Sequence, residues 1–334
     1  GNANKLQGGA GNDTLNGGGG ADTLIGGDGN DFYYVDHAGD VISETNAAAA
    51  GGTDLVHTTL ASYTLGAYVE NGRILAAGAA NLTGNALGNL LYAGTGNNVL
   101  DGGAGSDTVT WAYGVTGVTG VTASLASGTA SGSGNDTLIG IEHLIGSQNA
   151  DRLTGDGNAN NLRGGRGNDT LDGGGGADSM SGGDGNDFYY VEHLGDVVSE
   201  TNGTAAGGTD TVYSTLSSYT LGANVENGRL LGTGAANLTG NNLANVFYAS
   251  VGNNVLNGST GTDTVSYAYG VTGTTGITVS LALTTAQVTG GSGSDTLLGI
   301  ENLTGSTYAD RLTGNSTANI LDGGAGIDTM TGGD

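Results

Sequence analysis

From Gly8 to Tyr34 the chain reads GGAGNDTLN, GGGGADTLI, GGDGNDFYY. These are three consecutive nonapeptides of the form G-G-x-G-x-D-x-U-x, where U is apolar, and the block returns at Gly164–Tyr190. Three glycines in six residues allow φ > 0 and let carbonyls turn inward without a Cβ clash. The x-U-x remainder is long enough only for a short strand with one side chain pointing in. Eighteen residues therefore close one coil of two turns and two strands, and each turn stacks on the turn two motifs later, about 4.8 Å away.

The sixth position brings a carboxylate to each ring of turn carbonyls, and hard oxygen ligands of this kind suit Ca²⁺. Stacking pairs Asp13 with Asp31 and Asp22 with Asp40, where Val35–Ser43 keeps the frame in weaker form. Fifteen of the 25 aspartates hold this position: Asp13, Asp22, Asp31, Asp40, Asp107, Asp136, Asp151, Asp169, Asp178, Asp187, Asp196, Asp263, Asp295, Asp310 and Asp328. The accompanying carbonyls lie around Gly8, Gly9, Gly11, Gly17, Gly18, Gly26 and Gly27, and around Gly164, Gly165, Gly173, Gly174, Gly182 and Gly183. Two stacked carboxylates about 5 Å apart repel by roughly 3 kcal/mol at an effective dielectric of 20. One inward side chain per nine residues is also little burial for so much ordered backbone. Several divalent cations are expected to make up the difference, leaving the metal-free chain largely disordered. Asp22→Asn should damage the sites shared with Asn4 and Asp40 more than Asp101→Asn damages any.

Composition narrows the partners. Seventy glycines and 36% apolar residues argue against a thick globular core, and a net charge of −25 with seven Lys and Arg argues against nucleic acid. No Cys is present, so neither disulfide nor thiolate chemistry enters, and no Pro interrupts the ladders. No run of 18 apolar residues and no signal peptide occurs. Weak sites fill only where calcium is plentiful, which points outside the cell; extracellular modules bind at about 10⁻⁴–10⁻³ M.

The chain also repeats on a longer scale. Residues 1–156 align with 157–315, and 316–334 begin a third copy. With no initiator Met and both ends in mid-motif, a piece of a longer tandem array is expected. Each copy opens with the regular block (8–43, 164–199) and passes to a non-nonapeptide stretch (44–83, 200–239). There alternation at Leu55, His57 and Thr59, then at Tyr63 and Leu65, then at Val69 through Leu75, reads as three short strands. Nonapeptides then resume with Asn89, Asn98 and Asp107, or Asn245, Asn254 and Asp263, at the sixth position. Asn keeps an oxygen but loses the charge, so those edges should bind Ca²⁺ poorly and can bond to one another down the stack. Last come Trp111–Ala130 and Tyr267–Thr289, with strands at Val121–Leu125 and Ile277–Leu281. The Gly8–Gly84 offset exceeds eight nonapeptides by four residues, so the irregular parts are enlarged coils. The fold class is all-β, a parallel β-roll or β-solenoid with parallel strands throughout and no helix.

These residues resemble the RTX family of hemolysin-type calcium-binding repeats. Asp31–Val35, Gly39–Glu44, Ser62–Gly66 and Val69–Asn71 are similar to the interspersed segments of long RTX adhesins. The resemblance implies a calcium-loaded parallel β-roll, type I secretion with a C-terminal secretion segment, and folding on meeting external Ca²⁺.

Other chemistry is weak. His37 and His193 lack a second His or Cys at metal spacing. Glu44, Glu70 and Glu142 read as edge charges or auxiliary Ca²⁺ ligands, and no catalytic constellation is present. Tyr33, Tyr34, Tyr63 and Tyr92 read chiefly as core. Trp111 and Tyr113, and Tyr267 in the second copy, fall in a loop read as a third candidate, a glycan-stacking face. The expectation is a non-enzymatic, secreted or cell-surface module from a tandem-repeat adhesin, surface-layer or fibre protein, about 18–19 coils and of order 90 Å long. Its open ends favour head-to-tail self-association. The alternative is the C-terminal carrier of a secreted protease, lipase or epimerase whose catalytic part lies elsewhere.

Overall fold

The computed structural model describes residues 1–44, 51–113 and 119–333. Among these residues there are 36 short strands and no helix. The chain forms two compact units, Gly1–Asp178 and Ser179–Asp334.

In the first unit the eighteen-residue coil is read directly from the strand register. Lys5–Ala10 pairs in parallel with Thr23–Asp28, and Thr14–Asn16 with Phe32–Val35, so that Leu6 lies against Leu24 and Leu15 against Tyr33. The second ladder continues through Leu55–Thr58, Asn71–Ile74, Leu90–Tyr92, Thr108–Thr110, His143–Ile145 and Asn161–Arg166. Opposite it run Ser62–Thr64, Asn81–Thr83, Val99–Asp101 and Asn135–Ile139. The inward residue of each strand makes the core: Leu15, Tyr33, Val56, Leu91, Val109 and Leu144 on one side, Leu82, Leu100 and Leu138 on the other, nearly all fully buried. The alternation at Leu55, His57 and Thr59 has the opposite parity: the stack puts Val56 and Thr58 inside and leaves Leu55 and His57 half-exposed.

The irregular stretch consists of one long coil and two that depart less from eighteen. Successive edge positions Asp31, Asp54, Glu70 and Asn89 are separated by 23, 16 and 19 residues. Five residues gained, two lost and one gained account for the four-residue excess in the sequence. The second unit repeats these spacings at Asp187, Asp210, Glu226 and Asn245. Its main ladder runs from Phe188–Val191 through Thr211–Ser214, Asn227–Leu230, Val246–Tyr248 and Thr264–Ser266 to Asn302–Thr304. Each unit is thus a β-solenoid.

The strands are not parallel throughout, contrary to the sequence expectation. Thr122–Ser124, Thr129–Ser131 and Asn135–Ile139 form an antiparallel meander, and in the second unit Gln287–Gly290 runs antiparallel to Gly293–Leu298. The cause is connection length: four residues link Ser124 to Thr129, with Gly128 at φ 65° closing on the Leu125 carbonyl. So short a link makes a hairpin, whereas a parallel crossover needs a dozen residues or more.

Candidate metal centres

The turns fall into two classes. In the first, the second and fourth positions are left-handed: Gly9 and Gly11 at φ 113° and 108°, Gly18 and Gly20 at 67° and 130°, Gly27 and Gly29 at 112° and 123°. The carbonyls of Gly9 and Gly11 lie over Gly27 and Gly29 of the next turn, in the space a Cβ would fill. The sixth-position aspartate then divides its two oxygens. Oδ1 accepts the backbone N–H one coil earlier: Asp22 from Asn4 (2.7 Å), Asp31 from Asp13 (2.8 Å), Asp107 from Asn89 (2.6 Å), Asp263 from Asn245 (2.7 Å). Oδ2 folds back over the first glycine of its own motif, which is why that glycine cannot carry a side chain.

In Asp13, Asp22, Asp31, Asp107 and Asp263 this second oxygen is buried and takes no hydrogen bond. Burial raises the pKa of Asp31, Asp107 and Asp263, and the facing charges of Asp13, Glu142 and Glu301 respectively add to the rise. A carboxylate oxygen that is buried and unsatisfied in a turn of backbone carbonyls asks for a hard cation, so the donor set fits Ca²⁺. Asp169, Asp178, Asp187 and Asp328 stand in turns of the same left-handed form, the first three fully buried.

In the second class the position-two residue is Asn, Asp or Ser, and its own N–H donates to the sixth-position side chain. Asn85 bonds Asn89 Oδ1 (2.7 Å), Asp156 bonds Asn160 (2.8 Å), Asn241 bonds Asn245 (3.0 Å) and Asn315 bonds Asn319 (2.8 Å). The Asn amide does not bond along an asparagine ladder, as the sequence suggested, because its neighbour down the stack is an acidic residue. It donates instead into carbonyls of the preceding coil: Asn89 Nδ2 to Val69 and Glu70, Asn160 to Glu142, Asn319 to Glu301. An N–H₂ group here meets carbonyls that a cation would otherwise meet. Asp151 and Asp310 share this turn, each taking the N–H and hydroxyl of Ser147 or Ser306.

Four aspartates are held differently again. Asp40 Oδ2 accepts from Asp36 and His37, and Asp196 Oδ2 from Glu192 and His193, so both cap their own turns. Asp136 Oδ2 accepts the Trp111 indole N–H at 3.1 Å. Burial pushes Asp295, beside Tyr267, up to about 6. Trp111 and Tyr267 are therefore core residues, 1% and 0% exposed, and the open-loop glycan reading does not hold for them. Burial lets the indole reach a carboxylate inside the coil, while Tyr113 remains outside at 65% exposure.

Sequence reasoning passed over Asp54 and Asp210. Both continue the acidic edge, Asp54 Oδ1 holding the Asp31 N–H and Asp210 Oδ1 the Asp187 N–H, while Glu70 and Glu226 hold theirs in turn. Burial lifts both aspartates to about 7. Their signal is a truncated motif, Gly-Gly-Thr-Asp at 51–54 and 207–210, two residues short of the regular spacing.

A family profile described as RTX calcium-binding nonapeptide repeat (4 copies) matches residues 1–33, 83–110, 154–189, 232–268 and 298–330, together half of the chain. The unmatched segments coincide with the long coils and hairpins. A search among curated proteins found no match. Among the described residues no helix is long and apolar enough to cross a membrane.

Proposed function

This chain belongs to the RTX family of calcium-binding nonapeptide-repeat proteins, and from that premise we propose that it is a calcium-stiffened extracellular structural module without enzymatic activity. The supporting observation is the buried Oδ2 of Asp13, Asp22, Asp31, Asp107 and Asp263 in doubly left-handed turns, which no donor among the described residues satisfies. Cations at those oxygens would tie each coil to the next, so rigidity and calcium occupancy rise together. The 156-residue repetition of the whole pattern favours a tandem-repeat adhesin, surface-layer or fibre protein over a short secretion carrier. Secretion before folding follows, because cytosolic calcium is too low to fill such sites.

The test is a calcium titration followed by circular dichroism and calorimetry, reversed with a chelator. A cooperative gain of β-structure that the chelator removes is expected. A chain equally folded in chelator overturns the proposal.

A further inference from the structure

The regular block ends in each copy at a place where carboxylates gather in a different way. Glu200 lies 18 residues beyond Gly182, one coil on, and its Oε1 accepts the Gly182 N–H at 3.2 Å. Asp187, Glu200 and Asp210 each bring an oxygen within 4.8 Å of the other two. They are 0%, 5% and 2% exposed. Glu200 Oε2 is buried and takes no hydrogen bond. Gly182 forms the floor, since a Cβ there would strike Asp187 Oδ2 and the Tyr189 hydroxyl. Asp210 is fixed from both sides, by the Asp187 N–H on its Oδ1 and by Glu226 on its own N–H.

The first unit gathers the corresponding residues in a related way, although only the second unit's trio brings all three oxygens within 4.8 Å of one another. Glu44 lies one coil beyond Gly26 and accepts its N–H, with the Tyr33 hydroxyl bonded to the same oxygen. Asp31 Oδ2 and Glu44 Oε1 close over Gly26, and Asp54 holds the Asp31 N–H at 2.7 Å. Asp31, Glu44 and Asp54 are 2%, 8% and 2% exposed, and Asp31 Oδ2 takes no hydrogen bond. Three buried carboxylates facing one another repel strongly and cannot all stay ionised without a counter-charge.

We propose that Asp187, Glu200 and Asp210, and likewise Asp31, Glu44 and Asp54, form a second kind of cation site that closes the end of each regular block. Its ligands are three side-chain carboxylates, where a nonapeptide turn offers an aspartate with backbone carbonyls. A formal charge of −3 on hard oxygen favours Ca²⁺ and, more strongly, a trivalent lanthanide. The proposal rests on the calcium reading for the identity of the natural ion and on the geometry for the existence of the site. Glu44 and Glu200 lie outside every nonapeptide, so the repeat motif does not assign them.

Terbium reports on it through the tyrosine hydroxyls beside each site. The full chain is titrated with Tb³⁺ under tyrosine excitation, alongside Glu44→Gln/Glu200→Gln and, as a turn control, Asp13→Asn. Wild type should show tyrosine-sensitised emission from the first equivalents bound. The double Gln variant should lose most of that early emission and about two bound ions, yet still fold in calcium. Asp13→Asn should keep the early emission. If the double Gln variant fails to fold in calcium, Glu44→Asp/Glu200→Asp decides, since it keeps the charge but withdraws the reach and should lose the same emission. Early emission and stoichiometry unchanged in either folded variant overturn the proposal. Binding of neither ion by wild type overturns the calcium reading and this proposal with it.

Discussion

The turn at 8–13 and the turn at 84–89 occupy the same place in the same nine-residue frame, yet they answer one electrostatic problem in opposite ways. In the first, glycines at φ 113° and 108° leave Asp13 Oδ2 buried and unsatisfied. In the second, Asn85 donates its N–H to Asn89, and the Asn89 amide fills the carbonyls of Val69 and Glu70. Stacked turns always present inward carbonyls, and something positive must face them. One class leaves that partner to come from solution, and the other carries it as an amide. On the proposed calcium reading, a β-solenoid that carries both classes would need metal at the glycine turns and much less of it at the amide turns.

Chelation should separate the classes with the largest effect. Under hydrogen exchange in chelator, the amides of Gly9–Asp13 and Gly27–Asp31 should lose essentially all protection, since their carboxylates would face one another uncompensated. The amides of Asn85–Asn89 and Asn241–Asn245 should be the last to open. Uniform loss across both classes would erase the distinction.

Exchanging the sixth residue tests the same contrast from the other side. Asn89→Asp removes the N–H₂ from the Val69 and Glu70 carbonyls and puts a carboxylate against them. A cost of about 1–3 kcal/mol is expected from the unsatisfied buried groups. Calcium should not rescue it, because residue 85 keeps its N–H pointed at position 89. The triple change Asn85→Gly, Leu87→Gly, Asn89→Asp restores the doubly left-handed option, and in that variant calorimetry should count an additional calcium ion.

These differences explain what could be read from the sequence. The eighteen-residue coil, the Asp13–Asp31 and Asp22–Asp40 partners and the inward placement of Leu15 against Tyr33 and of Leu6 against Leu24 follow from periodicity, which nine-residue spacing makes unambiguous. Position two was equally visible as Gly against Asn or Ser, but its meaning lies in φ, and only the backbone shows Gly9 left-handed while Asn85 is not and donates its N–H to Asn89. Asp54 escaped because the frame loses two residues just before it. Trp111 escaped because nothing local shows an indole reaching inward to Asp136, 25 residues on. The hairpins at 122–139 and 287–298 depend on connection length, which the repeat alignment hides.

Acid should substitute in part for calcium where carboxylates crowd. Burial lifts Glu200 to about 8, with Asp210 and Asp187 facing it; Asp210, facing Asp187 and Glu226, lies at about 7. Asp54, facing Glu44, Glu70 and Asp31, is also at about 7, again chiefly through burial. All three are raised above their unfolded values, so the folded metal-free chain holds protons that the unfolded chain releases. Their stabilisation is complete below about pH 4 and is lost as pH rises through about 7 to 8. In chelator the residual fold should therefore melt higher at about pH 5 than at about pH 8. In calcium the order should reverse, because the cation requires the deprotonated forms. Melting curves at the two pH values, with and without chelator, check both signs.

The smallest expected effect is the most specific to the turn. Ser259 holds position two before Asp263 and is left-handed at φ 71°, although it is not glycine. Asp263 Oδ2 nevertheless remains buried and unsatisfied, as in the glycine turns, whereas Ser147 and Ser306, which are not left-handed, donate their N–H groups to Asp151 and Asp310. Backbone handedness, not the residue's identity, therefore decides the class. Holding a non-glycine residue left-handed costs about 1–2 kcal/mol. Ser259→Gly should relieve about 1 kcal/mol of that and lower the calcium concentration needed to protect the Asp263 turn. Ser147→Gly should not lower that requirement at Asp151, because it removes the hydroxyl partner of Asp151 without any strain to relieve. Equal responses at the two serines would show that handedness does not govern the carboxylate.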